Sequence, residues 1–82
     1  MKTVMIHAQA RKALRKMAQK EAEKIRGKID QYAADPSSLA NNVKRLRGDD
    51  EIRLRVGDWR VVMRDGEVLD VLKIGPRGSI YK

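Results

Sequence analysis

Arg53 and Arg55 alternate with Ile52, Leu54 and Val56 at the start of the stretch IRLRVGDWRVV. In an extended strand this alternation sends the apolar residues to one face and the guanidinium groups to the other. Guanidinium forks match the geometry of phosphate oxygens, so the chemistry on offer is the binding of a polyanion against one face of a small sheet. Arg77 and Tyr81, in the terminal run GPRGSIYK, are close enough to the end of that sheet in sequence to join the same face. Conventional general bases are scarce. The chain has one histidine, His7, and no cysteine, which excludes thiolate chemistry and disulfides. A lone histidine does not build a metal site without several carboxylate partners, so His7 reads as a surface or packing residue, and no metal or cofactor is expected.

Positioning such a face requires a strand meander, and the second half of the chain supplies one. Strands are expected at about Glu51–Val56, Trp59–Arg64 and Glu67–Ile74, joined by turns at Gly57–Asp58 and Asp65–Gly66. The third is apolar enough for a central strand, and Asp70 within it needs a partner if buried, with a nearby Arg or Lys expected to provide it. Trp59 reads as a sheet-packing residue. Upstream, Thr3–Ile6 is a short β-prone run, and Ala10, Ala13, Leu14, Met17 and Ala18 follow the helical period. A second stripe, Ala22, Ile25, Ile29, Tyr32 and Ala33, continues it with a disturbed phase near Gln19–Lys20. That disturbance favours two helices in a hairpin over one bent helix. The helical region ends at Asp35–Pro36–Ser37–Ser38, where the proline restricts the residue before it. The expected architecture is α+β: an N-terminal strand, a two-helix hairpin, then an antiparallel meander of three to four strands, in one domain over residues 1–82.

Charge is the second chemical signal. The 82 residues are 41% hydrophobic and 37% charged, with a formal net charge of +8. Residues 1–28 carry nine Lys/Arg against Glu21 and Glu23, a net of +7, whereas residues 29–82 carry ten against nine acids. Lys12, Lys16, Lys20, Lys24 and Lys28 recur every four residues, a spacing at which like charges cost an isolated helix roughly 0.2–0.5 kcal/mol per pair. Such a ladder is either a solvated face or a surface that recovers this cost on binding nucleic acid or an acidic protein. No apolar stretch approaches the ~20 residues of a membrane span, and no signal-peptide apolar region is present, so a cytoplasmic location is expected.

The order β-α-α-β-β-β at this length, with KRLRG leading into RLRVGDWRVV, a turn, VLKIG and a terminal G-x-R-x-x-[IV]-Y, resembles the RelE/ParE superfamily of bacterial and archaeal toxins from toxin–antitoxin pairs. In the RelE branch, toxins similar to this chain enter the ribosomal A site and cut the bound messenger; in the ParE branch they poison DNA gyrase. The resemblance implies a type II toxin, with the RelE-like reading, a ribosome-dependent mRNA endoribonuclease, favoured by the Arg60, Arg77 and Tyr81 set. A gyrase inhibitor and a catalytically inactive domain that binds RNA or antitoxin are the alternatives. By the same resemblance Arg60 and Arg77 would clamp the scissile phosphate, Tyr81 would stack on a base or act in proton transfer, and Arg53 and Arg55 would face RNA. Lys44, Arg45 and Arg47, leading into that strand, and Lys12, Lys16 and Lys20 of the ladder would add RNA contacts. The implied partners are messenger and ribosomal RNA in the A site and an acidic antitoxin, for which the gap between the helical hairpin and the sheet would be a seat.

Two departures shape the chemistry. Pro76 stands where many relatives carry a histidine before the loop arginine, and Arg53 and Arg55 stand where well-known RelE-type sites use lysines. Arginine stabilises a phosphorane but does not accept protons, its pKa exceeding about 12. Proton removal would therefore fall to Tyr81 or to substrate and water. Arginines on alternate strand positions are most often just a solvated face, and Asp58 or the acidic turn at Asp49–Asp50 could pair some of them; the terminal Arg/Tyr pair is what favours a binding face here.

Overall fold

The computed structural model describes residues 1–45 and 51–79; Arg47, the acidic turn and Tyr81 lie outside the described residues. Strand β1 (Val4–Ile6) leads into helices α1 (Ala8–Lys16) and α2 (Gln19–Ala34), then a 3₁₀ segment (Pro36–Asn42) and strands β2 (Val43–Arg45), β3 (Glu51–Val56), β4 (Trp59–Asp65) and β5 (Leu69–Pro76). The five strands form one sheet in the order β1-β5-β4-β3-β2. β2 to β5 are antiparallel neighbours, as the meander requires, while β1 adds parallel to β5. The chain therefore reaches β5 from β1 by way of both helices, and these cover one face of the sheet.

The two-helix reading holds. Lys16 is the last residue of α1, and Met17 and Ala18 adopt extended or non-helical backbone before α2 begins at Gln19. The lysine ladder is thereby cut: Lys12 and Lys16 belong to one helix, and Lys20, Lys24 and Lys28 to the other. The expected apolar stripes face inward, with Ala10, Ile25, Ile29, Tyr32 and Ala33 buried and Ala13, Leu14 and Met17 packed beside them. Ala22 is only partly buried, and Ala18 is exposed outright because it precedes α2 instead of continuing α1. The expected seat for an antitoxin between helices and sheet does not exist as a gap: Ile25 and Ile29 are fully buried in one cluster with Ile52, Leu54, Val61 and Met63.

Alternation along β3 and β4 decides the rest. Ile52, Leu54 and Val56 are buried with Val61 and Met63 on the helix-facing side. β5 begins two residues later than its apolar pattern suggested and runs to Pro76, because residues 66–68 form the turn, closed by a hydrogen bond from Gly66 N–H to the Val68 carbonyl. The pairing shifts between Val62↔Lys73 and Met63↔Val71, so Leu72 is an extra residue opposite no partner. This bulge puts both Val71 and Ile74 on the core side although they are three residues apart, and it accounts for a strand that reads as apolar on both faces.

Beyond its three-residue pairing with β1, β5 would expose an unpaired edge. Gln9 at the start of α1 closes it: its amide nitrogen lies 3.4 Å from the Ile74 carbonyl, and its carbonyl oxygen accepts from Ile74 N–H at 3.0 Å. One side chain thus imitates a neighbouring strand. The helix-facing side also holds a polar network. Tyr32 Oη donates to Asp65 Oδ2 at 3.0 Å, Lys2 Nζ donates to Asp65 Oδ1, and Arg45 Nη2 lies 3.5 Å from Asp65 Oδ2. It ties the N-terminus, α2 and the edge strand β2 to the end of β4.

Candidate nucleic-acid interface

Residues of β3 and β4 that alternate with the core point to the other face. There the register places Lys44 opposite Arg53 and Arg55 opposite Arg60, two like-charged pairs directly across neighbouring strands. Such pairs oppose sheet formation, by up to about 1 kcal/mol each. All four side chains line one cleft of about 380 Å³, together with Asn41, Asn42 and Val43, and none of these lining residues is acidic. That volume lies within the range of ligand pockets, roughly 300–1,000 Å³.

Arg60 is the oriented member of the set. Its Nη1 donates to the carbonyls of Gly57 and Trp59, both at 2.9 Å. A guanidinium has five N–H donors in a rigid fork, so these bonds fix the plane and leave further donors for an anion. The Gly57 carbonyl is held by its turn. Val56 pairs with Trp59, and of the two residues between them only Gly57 has positive φ, at 59°, the pattern of a type II′ hairpin with glycine first. A Cβ on Gly57 would meet only Lys24 Nζ at 3.6 Å, an ordinary contact. Gly57→Ala is therefore expected to destabilise through backbone strain alone, by about 1–2 kcal/mol, and to weaken anion binding by misplacing Arg60. Urea unfolding paired with heparin affinity measures both effects; unchanged binding would show that the turn does not position Arg60.

Arg77 reaches the same end of the sheet from β5. Its backbone N–H donates to the Asp58 carbonyl at 2.7 Å, which pins the terminal loop to the hairpin that holds Arg60. Ser79 N–H returns to the Pro76 carbonyl at 3.3 Å and Gly78 has φ 89°, the arrangement of a type II turn with Arg77 at its exposed corner. Asp58 thus contributes a carbonyl to this assembly, not an ion pair with an arginine. Trp59 is half-buried against the core, as a packing residue.

The other expected residues separate from this group. Arg45 alternates with Lys44, so it stands on the helix-facing side and pairs with Asp65. Lys12, Lys16 and Lys20 are exposed on the helical layer, behind the sheet as seen from the cleft. Asp70 is partnered by His7, not by an arginine or lysine: His7 Nε2 lies 2.9 Å from Asp70 Oδ1. The parallel addition of β1 beside β5 creates that pair, at the opposite edge of the sheet from β2. Asn41 and Asn42 were not expected in the site. Their only sequence signal is a polar pair immediately before a strand, which any turn supplies.

Taken together, the lining residues can bind a phosphodiester and stabilise charge developing on it. Among the described residues, none that lines the cleft is an imidazole, a carboxylate or a phenol. Such a set suits the binding of a phosphate and lacks, among the described residues, the usual general bases.

A family model described as "ParE toxin of type II toxin-antitoxin system, parDE" matches residues 4–81. Among solved structures, the chain is similar to that of an archaeal RelE–RelB complex from Pyrococcus horikoshii OT3, with 30% identity and a TM-score of 0.81 over 95% of this chain and 97% of that one. Similarity to the isolated E. coli RelE toxin is 20% in identity with a TM-score of 0.77, over 99% of this chain and 89% of that one, a likeness of fold. A search of curated proteins finds no match.

Proposed function

Because this chain belongs to the RelE/ParE superfamily of toxins from type II toxin–antitoxin systems, we propose that it is a translation inhibitor of the RelE kind, a ribosome-dependent endoribonuclease. The observation that carries this reading is the doubled like-charge register, Lys44 opposite Arg53 and Arg55 opposite Arg60, with all four residues lining one cleft. A sheet that had only to fold would place opposite charges across those positions. A polyanion converts the repulsion into binding, and RNA is the polyanion that a RelE-type toxin meets.

In the proposed reaction the ribosome presents the messenger as a splayed single strand. Arg60 and Arg77 hold the scissile phosphate from two sides of the Gly57–Asp58 turn, while Arg53, Arg55 and Lys44 take the flanking phosphates. The 2′-oxygen attacks phosphorus, and the cations stabilise charge on the equatorial oxygens as the bond to the 5′-oxygen breaks. Tyr81 or ordered water moves the protons. The exposed lysines of α1 and α2 are assigned to ribosomal RNA, on a separate surface from the messenger. An antitoxin partner follows by analogy with the RelE–RelB complexes; with the helix–sheet interface closed, it must dock outside the core, and the cationic cleft favours an acidic one. Action on the ribosome and its messenger is action in the cytoplasm. Among the described residues no helix is long and apolar enough to cross a membrane.

The gyrase-inhibitor reading is kept because the matching family description names ParE. Expression of the toxin without a partner separates the two. Incorporation of labelled amino acids is expected to fall within minutes while thymidine incorporation continues; the reverse order would replace the nuclease reading with the gyrase one.

A further inference from the structure

Phosphate contacts hold an RNA strand in register but carry no sequence information; that must come from donors and acceptors aimed at base edges. The cleft contains such groups. Asn41 and Asn42 end the 3₁₀ segment and form its wall beside Lys44, Arg53, Arg55 and Arg60. Asparagine often occupies turns because its carboxamide bonds to nearby backbone. Here, among the described residues, neither carboxamide makes a hydrogen bond, so neither is used to build the turn. Asn42 is half-buried, which narrows the directions its amide can take, whereas Asn41 is exposed at the rim.

From this juxtaposition we infer that Asn41 and Asn42 are base-reading residues, which select a nucleobase adjacent to the phosphate held by the arginines. The inference rests on the reading of the cleft as an RNA site, but not on cleavage. A carboxamide presents one acceptor and two donors side by side, the complement of a base edge that carries both kinds of group, as adenine does at N6 and N7. Methylene-long side chains on a 3₁₀ wall move little relative to the strand bearing Lys44. The cations therefore set where the backbone lies, and the amides test which base follows from it.

Binding of short RNAs to the purified protein tests this directly. Fluorescein-labelled tetranucleotides that differ at a single base are titrated at low salt and followed by anisotropy. Wild type is expected to prefer one base at one position by about 5-fold or more. Asn42→Ala or Asn41→Ala should bring the four affinities to within about 2-fold while keeping the slope of affinity against salt. Arg60→Ala should lower all four by a common factor and preserve their ratios. Equal affinities in wild type, or ratios that survive in both asparagine variants, would overturn the inference. So would an acidic peptide that displaces all four RNAs equally from a cleft showing no base preference, the result expected of an antitoxin site alone. Base preference that depends on these asparagines in a protein that cuts no messenger on programmed ribosomes would support the inference and remove the nuclease reading. Melting curves confirm that each variant is folded.

Discussion

Arg60→Ala is expected to reduce messenger cleavage on programmed ribosomes by about 100-fold or more, the usual consequence of removing a group that stabilises charge in the transition state. Two features make Arg60 the sharpest choice among the cations. Its guanidinium is already oriented by the Gly57 and Trp59 carbonyls, so little reorganisation is needed when the phosphate arrives. It also faces Arg55 across the strands, so the free protein loses a repulsion when Arg60 is removed. Stability should therefore change by no more than about 1 kcal/mol, the loss of two solvent-facing hydrogen bonds being offset in part. Arg60→Lys keeps the charge but not the fork, and should recover only a fraction of the activity. Arg77→Ala is expected to follow Arg60→Ala, while Tyr81→Phe keeps the ring and removes the hydroxyl. Full activity in Tyr81→Phe would limit Tyr81 to stacking and leave proton transfer to water. Full activity in all three variants would sink the nuclease assignment at these positions.

Asp65→Asn should be the most damaging single change outside the apolar core, by about 2–4 kcal/mol, because it removes the charge and replaces one of the two acceptor oxygens shared by Lys2, Tyr32 and Arg45 with an NH2 donor. In a domain of this size each kcal/mol lowers Tm by roughly 4–8 °C. The Asp65 side chain is only 12% exposed. Burial pushes its carboxyl up, but the hydrogen bonds from Lys2 and Tyr32, the Lys2 charge and Arg45 outweigh that, and the net shift is below the usual carboxylate range. A depressed folded pKa contributes stability that is present above the unfolded pKa and is lost as pH falls through the folded one. Wild type should accordingly lose its advantage over Asp65→Asn below about pH 4, the ordinary aspartate range. Tyr32 behaves oppositely. Burial first, then the hydrogen bond and charge of Asp65, raise its pKa, so its contribution persists through neutral pH and is lost only as pH rises through the raised value. Denaturant titrations of both proteins from pH 3 to 8 provide the check: equal stability at pH 7 would show that the network contributes nothing, and a difference that does not shrink in acid would show that the Asp65 charge is not what it contributes.

Local pattern made most of the architecture readable. The two-period switch from helical stripes to strand alternation gave two helices and a meander, because burial of an apolar face imposes those periods directly. The same alternation separated Ile52, Leu54 and Val56 from Arg53 and Arg55, and the order of motifs from Lys44 to Tyr81 carried the family. The amino-acid sequence by itself therefore determined the fold class, the toxin family and the arginine face. Register and long-range pairing were decided only in three dimensions. Whether Lys44 and Arg53, or Arg55 and Arg60, stand opposite one another depends on a two-residue turn and on strand offsets that no single segment encodes. Parallel addition of β1 to β5 gave Asp70 an imidazole partner 63 residues away. The break after Lys16 split a ladder that looks continuous at a four-residue spacing, and one step of alternation carried Arg45 from the cleft to Asp65 on the far side of the sheet. Asn41 and Asn42 had no distinctive sequence signal, since a polar pair before a strand becomes a cleft wall only when β2 pairs beside β3. Periodicity is a property of neighbours along the chain, whereas a binding site is made by contacts between strands, and those are chosen by the packing of the whole sheet.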